Sequence, residues 1–219
     1  MAFFRIFKRS AAELKSLRCL SVTALLVALD LVLKFFLNWQ ITEDLKISFA
    51  FVAIAAIGML YGPTVGALAC VVTDIVGYLL KPSGSFSPLF TLVEVMGGVL
   101  YGLFLYGFNP IKPDLESPKA FFRSVSGNLV QSLRVIFAKV SVALICNLIM
   151  TPLFITIQNQ LAAGDYTPEV FWTGFFTRVS TRLIKNLIEV PVHILILLIA
   201  LFPIMAAYRA IFKQNITTT

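Results

Sequence analysis

Residues 59–106 read MLYGPTVGALACVVTDIVGYLLKPSGSFSPLFTLVEVMGGVLYGLFLY, and this stretch decides the fold. A Gly62-Pro63 break is followed by an apolar run that carries one acid, Asp74. A polar, turn-rich segment at 81–88 then precedes a second apolar run. Each run approaches the roughly 20 apolar residues that a membrane-spanning helix needs. We therefore expect two membrane crossings joined by a short polar loop.

The composition of the whole chain places it in the membrane. Of its 219 residues, 58% are hydrophobic and 13% are charged, and the mean hydropathy is +0.89. Soluble domains average about 45–50% apolar and about 25% charged residues. The second candidate crossing is short, so we expect protein to cover its ends or the bilayer to be thin around it. The sequence predicts an all-α integral membrane protein with six transmembrane helices, at 17–37, 47–61, 64–81, 88–108, 130–157 and 183–210.

Basic residues predict the orientation of these crossings. A basic leader at 1–16 precedes the first apolar run, which is long enough to stay in the membrane instead of being cleaved as a signal peptide. With the leader and Arg18 just after it, the loop at 109–127 and the C-terminal end inside, ten basic residues lie inside and six outside; Arg134 and Lys139 stay uncounted within the fifth crossing. The positive-inside rule then places both termini in the cytoplasm.

The chain is expected to form one membrane domain over residues 1–219, because no linker is long enough to separate two domains. The six-helix bundle occupies 17–210, and residues 109–127 form a cytoplasmic loop. A second irregular region is expected at 160–182, where an aromatic run could lie at the outer interface or cap a cavity.

Several function classes lack the residues that they need. Orientation signals and attraction to anionic headgroups explain the net charge of +7, so we expect a lipid bilayer and no nucleic acid as a partner. The three cysteines lie on separate apolar runs without CxxC spacing, and one histidine beside one acid is too little for a metal site. No P-loop, HExxH motif, Ser/His/Asp grouping or Asp-rich diphosphate motif is present in the sequence. We therefore expect no metal, no cofactor and no catalytic activity.

The polar loop and the acid before it are candidates for a small-molecule site. The loop contributes Lys81, Ser83 and Phe86. Asp74 has no basic residue within a helical turn, so its charge must be neutralised, paired across helices or used on a ligand. Its two oxygens could accept from adjacent N–H groups of an amino-heterocycle. Ligand contact and structural pairing both remain open for Asp74, and also for Glu94 near the outer lip.

Cations gather at the outer start of the last apolar run. Arg182, Lys185 and Asn186 lie close to one helical face, and Arg178 comes just before them. Two cations beside an amide suit a carboxylate ligand, because arginine offers a bidentate fork and lysine a mobile charge. The alternatives are snorkelling to lipid headgroups and, for Arg182, an ion pair with Glu94, for which Lys81 is the other possible partner.

Other polar residues within the apolar runs need partners. Asn147 is expected to line a cavity or to form an interhelical hydrogen bond. Asp30 and Lys34 are spaced to pair along one face of the first helix. Glu189 and His193 have the same spacing at a proline kink, and we expect them to satisfy each other.

Small residues recur at four-residue spacing, which lets helices approach closely. Ala24 and Ala28 form one such pair on the first helix, where ordinary packing is the expectation from spacing alone. Glycine pairs with this spacing are expected to pack inside the bundle, namely Gly58/Gly62, Gly62/Gly66 and Gly98/Gly102.

Several segments together resemble the substrate-binding (S) components of energy-coupling factor (ECF) vitamin transporters, and among them the folate family. The likeness extends over roughly residues 17–200. Its segments are ALLVA at 24–28, LKISFAF at 45–51, Gly62-Pro63 with Asp74 and PSG at 82–84, FTL at 90–92, GVLYGLFLY at 98–106, and RLIKNLI at 182–188 followed by Pro191.

The resemblance implies a six-helix S component of the bacterial plasma membrane, with both termini in the cytoplasm, that captures a vitamin from outside and is not an enzyme. It implies docking on a transmembrane coupling subunit (EcfT) that carries two ATPase subunits (EcfA and EcfA'), where ATP is hydrolysed. Ala24 and Ala28 would face the coupling subunit. Substrate would bind on the outer side, where residues 81–88 and 182–186 fall.

In the expected binding mode, an apolar cavity buries the ligand ring. Asp74 or Asn147 contacts the polar edge of the ring, and Arg182 with Lys185 neutralises a carboxylate of the ligand. Small-residue packing on the first helix transmits the loaded state to the partner subunits.

Folate is the expected vitamin, with pantothenate or another acidic vitamin as the alternative. Residues 147–154 read NLIMTPLF where folate members tend to carry an Asn-Thr-x-Trp-like run, and Leu89 stands where a glycine is usual. A stand-alone transporter driven by an ion gradient is a further alternative, in which Asp30 or Asp74 would bind the ion.

Overall fold

Helices build most of the part of the chain that the structure describes, and one small hairpin accompanies them. A computed structural model describes residues 2–36, 38–40, 46–82, 86–109, 125–164 and 167–213. The elements in chain order are α1 (Ala2–Glu13), α2 (Leu17–Phe36), β1 (Asn38–Gln40), β2 (Lys46–Ser48), α3 (Phe51–Tyr61), α4 (Pro63–Leu80), α5 (Pro88–Leu105), α6 (Leu129–Ala163) and α7 (Pro168–Lys213). Within α6, Ala143–Met150 is a π-helix.

Within the described residues, five helices, α2 and α4 to α7, are long and apolar enough to cross a membrane. Helices α2, α4 and α5 match the predicted crossings at 17–37, 64–81 and 88–108 to within three residues at each end, and α6 and α7 contain those predicted at 130–157 and 183–210. Only 17% to 33% of the residues in their most apolar windows are buried inside the protein, so much of their apolar surface is left for lipid.

The short helix α3 differs from its expected crossing at 47–61. It begins at Phe51, because the backbone before it pairs in the antiparallel β1–β2 hairpin, where Trp39 stands opposite Ile47. Its 11 residues rise about 17 Å, which is less than the about 30 Å of a hydrocarbon core. Eight of those residues are buried, since α3 packs against α2, α4, α5 and α7.

Glycines bring α5 into close contact with α3 and α4. A Cβ atom at Gly58 would lie 2.8 Å from the backbone nitrogen of Gly102, and one at Gly66 would lie 2.8 Å from the carbonyl oxygen of Gly98. A Cβ atom at Gly102 would overlap the backbone of Pro63. This packing confirms that the glycine pairs lie inside the bundle, where small residues allow backbones to approach.

Helix α1 is tied to the start of α4 by one buried serine. The hydroxyl of Ser10 donates to the Tyr61 carbonyl at 2.6 Å and accepts from the backbone amides of Thr64 at 3.0 Å and Val65 at 3.3 Å. The first amides of a helix have no partner within that helix. Ser10, at 0% exposure, therefore acts as a cap supplied by another helix.

Helix α7 overturns the expected irregular region at 160–182. Only a short connection after Gly164, which ends α6 in a left-handed conformation (φ +70°), precedes its start at Pro168. Proline suits the first turn of a helix, because its fixed φ is helical and the missing N–H has no partner there. The 46 residues of α7 extend about 69 Å, which exceeds the about 40–45 Å of a whole bilayer. An upright helix of this length cannot lie wholly within the hydrocarbon core, so at least one of its ends must project beyond it.

Candidate functional site

A cavity of about 230 Å³ lies among α2, α3, α5, α6 and α7, and we call it the charged cavity. Acidic, basic and aromatic side chains meet in it. Its lining residues are Asp30, Lys34, Ala50, Phe51, Ile54, Val93, Glu94, Gly97, Gly98, Tyr101, Lys139, Val142, Cys146, Asn147 and His193.

Two carboxylates and a lysine come from α2 and α5. Lys34 and Asp30 form the expected salt bridge at 3.2 Å, and Asp30 is 0% exposed. Glu94 lines the same cavity. Among the described residues, no salt bridge joins Glu94 to Lys81 or Arg182. Glu94 therefore directs a carboxylate to the cavity without either of the cations proposed for it.

A second lysine, Lys139 on α6, was not identified as a site residue from the sequence. It is 5% exposed, and its Nζ lies 4.8 Å from the centroid of the Phe51 ring, where the cation is attracted to the aromatic face. The available signal was its position in a long apolar run, since an ionisable residue there is a functional candidate.

His193 also lines the charged cavity, and its expected pairing with Glu189 is wrong. The imidazole packs against Phe51, with ring centroids 4.3 Å apart. Glu189 instead forms an ion pair with Lys185 at 3.5 Å. Both possible partners lie one turn from Glu189, and the lysine offers the opposite charge.

Several polar atoms of the charged cavity are buried without a hydrogen-bond partner among the described residues. They are the hydroxyl of Tyr101, Nε2 of His193 and the two carboxylate oxygens of Asp30, of which Oδ2 has only the salt bridge to Lys34. An unsatisfied buried polar group costs about 1–3 kcal/mol. A ligand that supplied partners to these atoms would recover that cost, so the cavity is chemically suited to a polar heterocycle.

Asn147 meets both expectations for it. It lines the charged cavity, and its Nδ2 donates to Oδ1 of Asn186 on α7 at 3.1 Å. Asn147 lies in the π-helix of α6, whose end is followed by Pro152, a residue without an N–H. The Thr151 hydroxyl donates to the Cys146 carbonyl at 2.7 Å. π-Helical turns are frequent at functional sites.

A second cavity, of about 650 Å³, contains the predicted cation cluster, and we call it the cationic cavity. Arg178, Arg182 and Lys185 line it together with hydroxyl groups of α7. Arg178 donates to the Gly174 carbonyl at 3.0 Å, and Lys185 pairs with Glu189. Arg182 forms no ion pair with any described residue.

The two cavities are linked through Asn186. This residue is 7% exposed, donates to the Arg182 carbonyl at 2.8 Å, and accepts the hydrogen bond from Asn147. The sequence-predicted residues Asn147, Arg182, Lys185 and Asn186 are thus brought together.

Asp74, Lys81 and Phe86 line neither of these two cavities. Asp74 accepts a hydrogen bond from Thr91 at 2.5 Å, which joins α4 to α5. Lys81 is exposed at the end of α4, and Phe86 is 43% exposed with its ring 5.2 Å from that of Tyr78. Ser83 lies outside the described residues.

The alanine pair on α2 faces outward. Ala24 and Ala28 are both exposed, and Leu25 and Leu29 beside them are 68% and 44% exposed. This face therefore has no partner within the described bundle. Among all the residues that the structure describes, no three His, Cys, Asp or Glu side chains gather as a metal site would require.

Comparisons with known proteins agree with the likeness drawn from the sequence. The family description "ECF transporter, substrate-specific component" matches residues 18–201. The folate transporter FolT of Clostridium novyi (strain NT) is 27% identical over 184 residues, covering 84% of this chain and 88% of that protein. FolT of Streptococcus mutans serotype c is 31% identical over 157 residues, covering 71% and 70%. A crystal structure of FolT bound with folic acid has a TM-score of 0.56 and 28% identity, covering 83% of this chain and 91% of that one.

Proposed function

The chain belongs to the substrate-specific components of ECF transporters, and from this premise we propose that it is the folate-binding subunit of an ATP-driven vitamin importer. Relatives from two bacteria are folate transporters, and the similar crystal structure holds folic acid. In this proposal the chain captures folate from outside and delivers it through a shared coupling module. It carries out no chemistry on the vitamin.

The charged cavity is the observation that carries the proposal. A pterin ring has N–H donors and acceptors along its edge, and Glu94, Tyr101 and His193 offer partners for both. Phe51 lies at the cavity wall and can pack on the ring face. The volume of about 230 Å³ is below the about 300–1,000 Å³ of typical ligand pockets. In our proposal it therefore takes the pterin ring, and the rest of the vitamin extends outward.

The cationic cavity is proposed to receive the carboxylates of the glutamate tail. Arg182 supports this assignment, because it has no ion pair among the described residues and can form a bidentate pair with a carboxylate. Lys185 already has Glu189 as a neighbour, so its contribution is smaller. Asn147 is preferred over Asp74 for the polar edge, because Asp74 is engaged by Thr91. Lys81, Ser83 and Phe86 are proposed to form the outer lip.

The proposed topology has six crossings with both termini in the cytoplasm. Five helices are long enough to span, and α3 supplies the sixth crossing because protein covers this short helix on its sides. An even number of crossings places the two termini on one side, and the basic leader selects the cytoplasm. The charged cavity then opens in the outer half of a bacterial plasma membrane.

The proposed partners are EcfT and two ATPase subunits, EcfA and EcfA'. Ala24 and Ala28 support docking of the coupling subunit, since they are exposed and small enough for another helix to approach. ATP hydrolysis is assigned to the ATPase subunits.

The test is calorimetric titration of the detergent-purified chain with folate and, separately, with pantothenate. We expect saturable binding of folate, weakened in Glu94→Gln and in Arg182→Ala, with no binding of pantothenate. Binding of pantothenate alone would change the substrate within the family. Folate uptake that needs an ion gradient and no ATPase partner in proteoliposomes would instead indicate a stand-alone transporter.

A further inference from the structure

A third cavity, of about 640 Å³, lies at the opposite end of the bundle from the charged cavity. It is formed by α1 and by the ends of α3, α5 and α7 with the start of α6, and we call it the terminal cavity. Its lining residues are Arg5, Ile6, Arg9, Glu13, Met59, Leu60, Leu103, Tyr106, Gly107, Phe108, Arg134, Met205 and Tyr208.

Three guanidinium groups give the terminal cavity a positive charge. Arg134 is oriented by hydrogen bonds to the carbonyls of Tyr106, at 2.9 Å, and Gly107, at 3.4 Å. Arg9 lies over the Tyr106 ring, 5.7 Å from its centroid. Among the described residues, no carboxylate forms an ion pair with Arg5, Arg9 or Arg134. Glu13 also lines the cavity but forms no ion pair with the three arginines, so three cations stand against one carboxylate and the cavity keeps a net positive charge.

The rest of the lining is largely apolar. Aliphatic and aromatic side chains from four helices stand beside the arginines, among them Leu60, Leu103 and Met205. The exposed face of α1 is also apolar in part, with Phe4 80% exposed. A helix with basic and apolar faces suits the interface between water and acyl chains. A cavity beside such a helix meets both the headgroup and the hydrocarbon of one leaflet.

We propose that the terminal cavity binds one anionic glycerophospholipid from the leaflet on the side of the two termini. The phosphodiester group pairs with Arg5 and Arg9 and meets Arg134, because guanidinium groups match phosphate geometry. An acyl chain lies against the apolar lining. A free phosphate ion would satisfy the arginines but leave that lining uncovered, so charge and apolar surface together favour a lipid.

Native mass spectrometry of the full-length chain, delipidated in detergent and titrated with phosphatidylglycerol or phosphatidylcholine, tests the proposal. We expect one retained phosphatidylglycerol in the wild-type chain and weak, unsaturable attachment of phosphatidylcholine. The double variant Arg5→Gln/Arg9→Gln should bind phosphatidylglycerol roughly 25-fold more weakly, since each cation near an anionic surface contributes about fivefold. Thermal unfolding of the lipid-free variants checks that they remain folded.

The matched control is Lys8→Gln/Lys15→Gln, which removes the same charge from the same segment outside the cavity lining. It should keep the retained lipid. Equal losses in both variants would mean diffuse attraction to basic residues and would overturn the proposal. Displacement of phosphatidylglycerol by millimolar glycerol phosphate or inorganic phosphate would assign the cavity to a free phosphate instead. If the wild-type chain retained no lipid, and EcfT binding were lost in the Arg5/Arg9 variant but not in the Lys8/Lys15 control, the terminal cavity would be a protein docking surface.

Discussion

The substitution Gly97→Leu tests whether folate binds in the charged cavity or at another site on this chain. Gly97 lines the cavity, and a Cβ atom built there meets no heavy atom within 4 Å. A leucine at this position can therefore extend into the cavity without forcing the backbone of α5 to move. We expect a folded protein that has lost most of its affinity for folate.

The size of the effect follows from the volume. If each carbon takes about the 30 Å³ that a water molecule occupies in the liquid, the four carbons of leucine fill roughly 120 Å³. That is about half of the 230 Å³ cavity. A misfit of one methylene group in a binding pocket costs about 1–3 kcal/mol, or about 10–200-fold in affinity. The dissociation constant should rise by at least about tenfold.

Calorimetric titration with folate measures the loss, and thermal unfolding in the same detergent measures stability. Gly77→Leu is the matched control, because its nearest neighbour is a flexible side-chain end, Cδ2 of Leu31 at 3.7 Å, and it lies outside the cavity. Gly102→Ala is the contrast, since its Cβ overlaps the backbone of Pro63 and overpacking costs about 1–3 kcal/mol. Unchanged folate affinity in a folded Gly97→Leu protein would refute the assignment of the pterin ring to this cavity.

Three further predictions concern a buried lysine, a helix cap and the outward face of α2. Lys139→Met should weaken folate binding at least tenfold. The same change should raise the free energy of unfolding by roughly 1 kcal/mol, because a buried cation is costly. Higher stability with unchanged affinity would limit Lys139 to packing on Phe51. Ser10→Ala should lower the free energy of unfolding by about 0.5–2 kcal/mol in thermal unfolding, as for a lost helix cap, whereas the exposed Ser180→Ala should not. Ala28→Leu should leave folate binding to the isolated chain intact. It should reduce ATP-driven uptake in proteoliposomes with the partner subunits by more than about tenfold, since a bulky side chain prevents close helix approach. Normal uptake would place docking elsewhere.

The features that the sequence predicted correctly are local ones. Apolar runs of sufficient length identified the spanning helices, because burial in lipid imposes a length that can be counted. Fixed helical spacing identified the Asp30–Lys34 pair and the close glycine packing. Each of these features can be recognised from a single helix or from the repeated spacing of small residues.

The features that were missed depend on which helices meet. Lys139 joins the site because Phe51 of α3 approaches it from a distant part of the chain. His193 packs on the same ring, and its spacing from Glu189 gave no sign of this contact. The region at 160–182 looked irregular because its hydropathy falls, whereas Thr173 and Thr177 return their hydroxyls to backbone carbonyls one turn earlier and remain within α7.

The cap that Ser10 supplies makes the N-terminal helix part of the folding unit. A truncation that begins after α1 would leave the amides of Thr64 and Val65 and the carbonyl of Tyr61 without their partner. These groups sit at the turn against which Gly102 packs, so the damage would fall where α3, α4 and α5 meet. Shortened versions of this protein must therefore keep the first helix.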